Sequence, residues 1–170
     1  MTRTKISRPA AAAFTAFFAL VFAIAGLNAP AFATPADGIV RVKSAYGMTE
    51  SISRIKKDIE AKGIKFFAEI DQTDLGKAAG ITLNPSTLLV FGNPPLGIQF
   101  LTSNPNAGLD WPVRLLVSQD AKGQVWATYT DFAWIARRHG IKNRAAQFKM
   151  ASEVIASITS SVAAPSVAKK

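Results

Sequence analysis

The chain has 170 residues, a formal net charge of +9, a single histidine and no cysteine. The missing thiols exclude cysteine catalysis, disulfide exchange and thiolate metal sites, and one histidine cannot build an ordinary zinc site. No Gly-x-Ser-x-Gly and no glycine-rich phosphate loop occurs, and Asp71-x-x-Asp74 lacks the oxygen spacing of a calcium loop, so metal sites and cofactors are not expected.

The first segment carries an address. Arg3, Lys5 and Arg8 precede an uncharged stretch from Ala10 to Leu27, and Ala31-Phe32-Ala33 follows. A positive flank, an apolar middle and a small-x-small exit are the requirements of an export signal, with cleavage expected between Ala33 and Thr34. The alternative is an uncleaved anchor, since Ala10–Leu27 lies at the lower edge of spanning length. Residues 1–33 are therefore assigned as a signal peptide, 34–162 as one folded domain and 163–170 as a tail. The expected location is periplasmic or secreted. Removal of the signal leaves seventeen basic against eleven acidic residues, a net charge of +6. Such a surplus suits weak association with an anionic envelope surface, although most of these cations read as ordinary solvated faces. Export, and the lack of interleaved aromatic and basic residues, argue against nucleic acid as a partner.

From Ile39 to Ser44 the sequence alternates as a half-buried strand, with Val40, Val42 and Ser44 on one side. Ile52, Ile55 and Ile59 then recur at helical spacing; Thr49 is the expected N-cap and Gly63 the C-terminal stop. Ile64, Phe66, Ala68 and Ile70 alternate as a second strand. Asp71 to Gly80 reads as a turn or short helix, and Leu88-Leu89-Val90-Phe91, apolar on both faces, as a central strand. Gly92-Asn93-Pro94-Pro95 forces a turn, and a short helix is expected within Leu96–Asn104. Two strands, centred on Val113–Val117 and Val125–Tyr129, flank Asp120-Ala121-Lys122-Gly123 and should pair as an antiparallel hairpin. Asp131 caps a short helix ending near Gly140. A final helix from about Arg144 to Val162 carries the apolar stripe Phe148, Ala151, Val154, Ile155, Ile158 and Val162. The fold class is α+β, a single two-layer domain ordered β-α-β4-α.

Several separated pieces carry a family resemblance. They are Lys43-Ser44, Phe67-Ala68-Glu69-Ile70-Asp71, Phe91-Gly92-Asn93-Pro94, Gly97, Leu109-Asp110-x-Pro112, Asp120-x-x-Gly123-x-Val125-Trp126 with Tyr129, and Arg138-His139. In this order they resemble the DUF302 family, bacterial domains without an assigned function, from Gly38 to about His139. The resemblance implies an antiparallel-rich sheet with helices on one face, like one repeat of the TATA-binding-protein fold, and a homodimer. That likeness carries no DNA-binding inference. This chain has Gln72 where relatives often have histidine, and Gly97-Ile98-Gln99-Phe100-Leu101 where they commonly show Gly-Thr-Pro-Leu-Met.

Candidate site residues follow from both readings. The turn Phe91-Gly92-Asn93-Pro94 lies just past a buried strand, where Gly92 lets backbone amides turn outward and Asn93 offers donors and acceptors. Asp110 and Tyr129 complete a candidate ligand-binding set; turn chemistry alone also explains the tetrapeptide. His139 shares a helix face with Phe132, Ile135 and Ala136, so its imidazole points toward the domain; it also suits a helix C-terminus through the dipole. As a general base or ligand His139 could be oriented by Asp71, Asp110 or Tyr129, and Asp71 with His139 are the candidates for acid-base work in a hydrolase or isomerase. With no other catalytic set present, the leading expectation is a non-enzymatic module that binds a small ligand or a protein partner. A structural, envelope-associated role is the third expectation.

Overall fold

The computed structural model describes residues 35–164; the expected signal peptide (residues 1–33), with its expected cleavage point at Ala33 and Thr34, and residues 165–170 lie outside the described residues. Five strands form one sheet in the order β1-β5-β4-β3-β2: β1 (Ile39–Lys43), β2 (Lys65–Asp71), β3 (Ser86–Gly92), β4 (Val113–Gln119) and β5 (Val125–Thr130). Every neighbouring pair is antiparallel. The helices are α1 (Met48–Ala61), α2 (Gln72–Ala78), α3 (Pro94–Ser103), α4 (Phe132–Arg138) and α5 (Ala145–Ser160), with a 3₁₀ turn at Pro105–Leu109.

One face of the sheet makes the core. Leu89 and Phe91 of β3, Leu115 and Val117 of β4, and Val125 and Ala127 of β5 are buried against Ile55 and Ile59 of α1 and Phe148, Ile155 and Ile158 of α5. Phe100 of α3 stacks on Phe148 at 4.2 Å between centroids and 17° between planes. Strand alternation then sends the intervening residues to the opposite face, where Leu88, Val90 and Leu116 remain half-buried. No buried side-chain polar atom among the described residues lacks a partner. Ser44 and Ser51, both buried, join hydroxyl to hydroxyl at 2.8 Å.

The expected order of elements and the α+β class hold, and the Asn84-Pro85 and Gly92-Pro95 breaks fall where strands begin and end. Three local expectations are corrected. The N-cap of α1 is Gly47, which makes no side-chain capping bond, and Thr49 lies inside the helix. In β2 a bulge between Phe66 and Ala68 interrupts the alternation: Phe66 opposes buried Phe91, whereas Ala68 opposes Val90 and Ile70 opposes Leu88 on the other face. Ala163 does not begin a free tail, because it bridges Ser44, and Ala164 N–H donates to Lys43 O at 3.2 Å.

Candidate functional site

The exit of β3 is built by its sequence. Phe91 anchors the strand in the core, Asn93 becomes the N-cap of α3, and Pro94 and Pro95 occupy the first helical positions, where a missing N–H costs nothing. The Asn93 Oδ1 accepts from Leu96 N–H at 3.4 Å. Over this turn lies Trp111. A Cβ at Gly97 would stand 1.9 Å from Trp111 Nε1, and one at Gly92 3.1 Å from the same atom. Gly97 therefore has no room for a side chain while the indole rests there, and at Gly92 a Cβ would be a tight contact. Phe67, the residue in the β2 bulge, meets Trp111 edge to face at 6.2 Å and 80°.

Beneath the indole is a cavity of about 40 Å³ lined by Phe91, Gly92, Asn93, Leu96, Gly97, Phe100, Trp111 and Val113, with Ile64, Phe132, Ala151, Val154 and Ile155 closing it. Apart from Asn93 and the indole N–H these walls offer only apolar side chains, and small apolar cavities stay dry. Ile64 and Val154 also line an open groove of about 320 Å³ with Lys62, Met150, Glu153 and Ser157. Cavity and groove thus share a wall.

The residue before Trp111 starts a second feature. Asp110 has a side chain only 3% exposed, and His139, at 6%, places Nε2 2.6 Å from its Oδ2. Arg114 Nη2 reaches Oδ1 at 3.1 Å, and Arg138 Nη1 lies 3.1 Å from both carboxylate oxygens. Arg114 also donates to Leu109 O at 2.8 Å, and Asn104 Nδ2 donates to His139 O at 2.9 Å. These bonds tie the 3₁₀ turn, the start of β4 and the end of α4 into one knot. The two guanidinium groups remain about half exposed. A buried carboxylate surrounded by three donors has its charge matched locally, as burial requires.

Of the residues singled out in the sequence, Phe91, Gly92 and Asn93 line the cavity and Pro94 opens the adjoining helix. Asp110 belongs to the ionic knot. Tyr129 lies on β5 opposite Val40 and Leu115, where burial, then the charge of Asp131, pushes its phenol above the usual value. Asp71 caps α2 by accepting from Asp74 N–H at 3.0 Å, and the carboxylate bonded to His139 is that of Asp110. Gln72, at the family's frequent histidine position, accepts from the Ser86 hydroxyl at 2.8 Å. From the sequence Trp111 reads either as a binding aromatic or as an interface or core residue, and the structure makes it the cover of this turn. The signal was two glycines, Gly92 and Gly97, spaced to receive one ring, legible only once the chain from 104 to 112 folds back. Arg114 and Arg138 were missed as partners of Asp110, because neither shares an element with it. Among the described residues no cluster of three or more His, Asp or Glu side chains could hold a metal ion.

Comparison with known proteins now places the chain. Residues 40–163 match the family described as "Domain of unknown function DUF302", and the protein belongs to that family. A solved structure, the uncharacterized conserved protein DUF302 from Bacillus stearothermophilus, superposes with a TM-score of 0.67 at 17% identity, covering 74% of this chain and 98% of that one. That likeness is one of fold. The fluoride-specific ion channel FluC 1 of Brucella suis biovar 1 (strain 1330) is 36% identical over 105 residues, which are 62% of this chain and 41% of that protein. FluC 2 of Brucella melitensis biotype 1 is equally similar over 39% of its length. The chain thus spans about two-fifths of the curated relatives it matches. Among the described residues no helix is long and apolar enough to cross a membrane.

Proposed function

We propose that the chain is an exported, non-catalytic binding module of the cell envelope, which takes the apolar end of a small amphiphilic ligand beneath Trp111. The observation that carries this reading is the cavity at the β3 exit: it is apolar, is lined by three of the residues singled out in the sequence, and is separated from an open groove only by the shared wall of Ile64 and Val154. Its size sets the ligand class. At about 40 Å³ it is far below the roughly 300–1,000 Å³ of pockets that enclose whole ligands. A short hydrocarbon end fits inside, and the remainder lies in the groove, near Lys62.

The acid-base alternative finds less support. His139 and Asp110 are bonded to each other and packed within the fold, and the carboxylate is already matched by two arginines. The candidate Asp71 serves α2 instead. The curated relatives, in which a similar segment forms part of a fluoride-specific ion channel, support a setting beside a membrane rather than a soluble catalytic one.

The test uses octanoate as a probe. Saturation-transfer NMR is expected to detect binding by the wild-type protein, strongest at the terminal methyl. Val154→Phe, which fills the shared wall, is expected to remove that signal while leaving the thermal unfolding cooperative. Equal transfer to both proteins would sink the reading, as would absence of binding to the folded wild type.

A further inference from the structure

The sheet face opposite the core, on which α1 and α5 do not pack, is apolar in its middle and basic towards its edges among the described residues. Its positions alternate with the core residues: Arg41 opposes Thr128, which opposes Leu116, which opposes Leu88, which opposes Ile70; in the next row Lys43 opposes Trp126. The middle is apolar, and Ile70 and Phe67 are 38% and 41% exposed. The basic residues are Arg41, Lys43, Lys65 and Arg114, and none of the outward positions of the five strands holds Asp or Glu.

Among the described residues, cations away from this face are of both kinds, since Lys57, Arg137, Lys142 and Arg144 also meet no carboxylate. On the helical side Arg54, Lys56, Lys62 and Lys149 each meet a carboxylate. On the open face Arg41 stands over the Trp126 ring at 5.1 Å and Lys65 over Phe67 at 5.3 Å, and among the described residues neither they nor Lys43 meets a carboxylate. Only Arg114 is ion-paired, to Asp110. Asp120, at the β4–β5 turn, is held by Trp126 Nε1 at 2.9 Å and by two backbone amides. Face-to-face docking of a second copy would set cations against cations. The complementary partner is anionic, broad and apolar beneath its charges.

We propose that this open sheet face docks on the surface of a bilayer containing anionic phospholipid: Arg41, Lys43 and Lys65 meet headgroups, and Trp126 and Phe67 enter the interfacial layer. Amphipathic aromatic rings beside cations suit that layer, and each cation near an anionic surface adds to binding in a salt-dependent way. The face touches the cavity at one contact, Phe67 against Trp111, and Arg41, Lys43 and Trp126 line no part of it.

The chain beginning at Thr34, whose core lies wholly within residues 35–164, is mixed with vesicles of phosphatidylcholine alone or with about one-third phosphatidylglycerol. Co-sedimentation is expected with the anionic vesicles only, with loss at high salt. Arg41→Glu/Lys43→Glu should weaken it at least about tenfold. Arg137→Glu/Lys142→Glu, which changes net charge equally from outside the face, should weaken it far less. As a second readout, a variant retaining Trp126 alone (Trp111→Phe/Trp134→Phe) should shift its fluorescence to the blue on adding anionic vesicles. The proposal is overturned if both charge reversals weaken binding equally, if neutral vesicles bind as well, or if no vesicle binds. It is also overturned if single-stranded oligonucleotide or an acidic peptide competes the protein off vesicles at comparable charge concentration. Failure here leaves octanoate binding untouched, so the vesicle and octanoate measurements test the two sites separately.

Discussion

Trp111 and the two glycines beneath it show how one ring can dictate backbone composition. Gly97 lies inside α3, where alanine ordinarily stabilises a helix by about 1 kcal/mol. Here its Cβ would stand 1.9 Å from the indole nitrogen, so Gly97→Ala should destabilise by about 1–3 kcal/mol in urea unfolding as the ring is displaced. In a Trp111→Ala background the same substitution should become neutral or stabilising, because only the helix term remains. A penalty that persists without Trp111 would remove the indole as its cause. A different residue governs acid behaviour. The Asp120 carboxylate is held below its ordinary value first by the Trp126 indole N–H, then by the Gln124 amide. Its contribution is therefore present above the unfolded-state value near 3.8 and is lost as pH falls through the lower folded-state value. Asp120→Asn should flatten the stability profile across that acid range and leave neutral pH almost unchanged in slope. An unaltered acid limb would refute the linkage.

At the scale of elements, the turn after β3 does two jobs, ending a core strand and starting α3. Asn93→Ala should cost about 1 kcal/mol in denaturant unfolding, whereas Asn93→Ser should cost less, since a hydroxyl can cap as well. If serine proves as costly as alanine, capping is not the role of Asn93. Most elements were legible because their signals are local. Asp131 caps α4 by accepting from Trp134 N–H at 2.7 Å, and Asp120 closes the β4–β5 hairpin through Lys122 and Gln124. The β2 bulge was not legible: Phe66, Phe67 and Ala68 are all acceptable on either face, and the choice depends on Phe91 opposite and Lys56 of α1 bonding Glu69. The site shows the same divide. Phe91, Gly92 and Asn93 could be read from turn chemistry, but the Asp110–His139 bond spans 29 residues and nothing local to either residue announces it. Asp71, closer to His139 in apparent chemistry, had a local task as a helix cap.

For the whole molecule, the lack of cysteine and the closed core belong together. A domain without disulfides depends on burial and on complete hydrogen bonding, and here the described residues bury their apolar face on one side of a sheet without orphaning a buried polar side chain. The C-terminal end adds to that closure, since Val162 is fully buried and Ala163 pairs beside Ser44. A chain carried across a membrane unfolded can reach this state without an oxidant. Expressed with its full sequence in a bacterium and followed by intact-mass measurement, the protein should appear in the periplasm or medium with Thr34 as its first residue. It should unfold there in one cooperative step that a reducing agent does not shift. The leader segment resides outside the structurally described residues, so the mass is the deciding measurement. Cytosolic protein retaining Met1 would refute export, and with it the envelope setting on which both binding proposals draw.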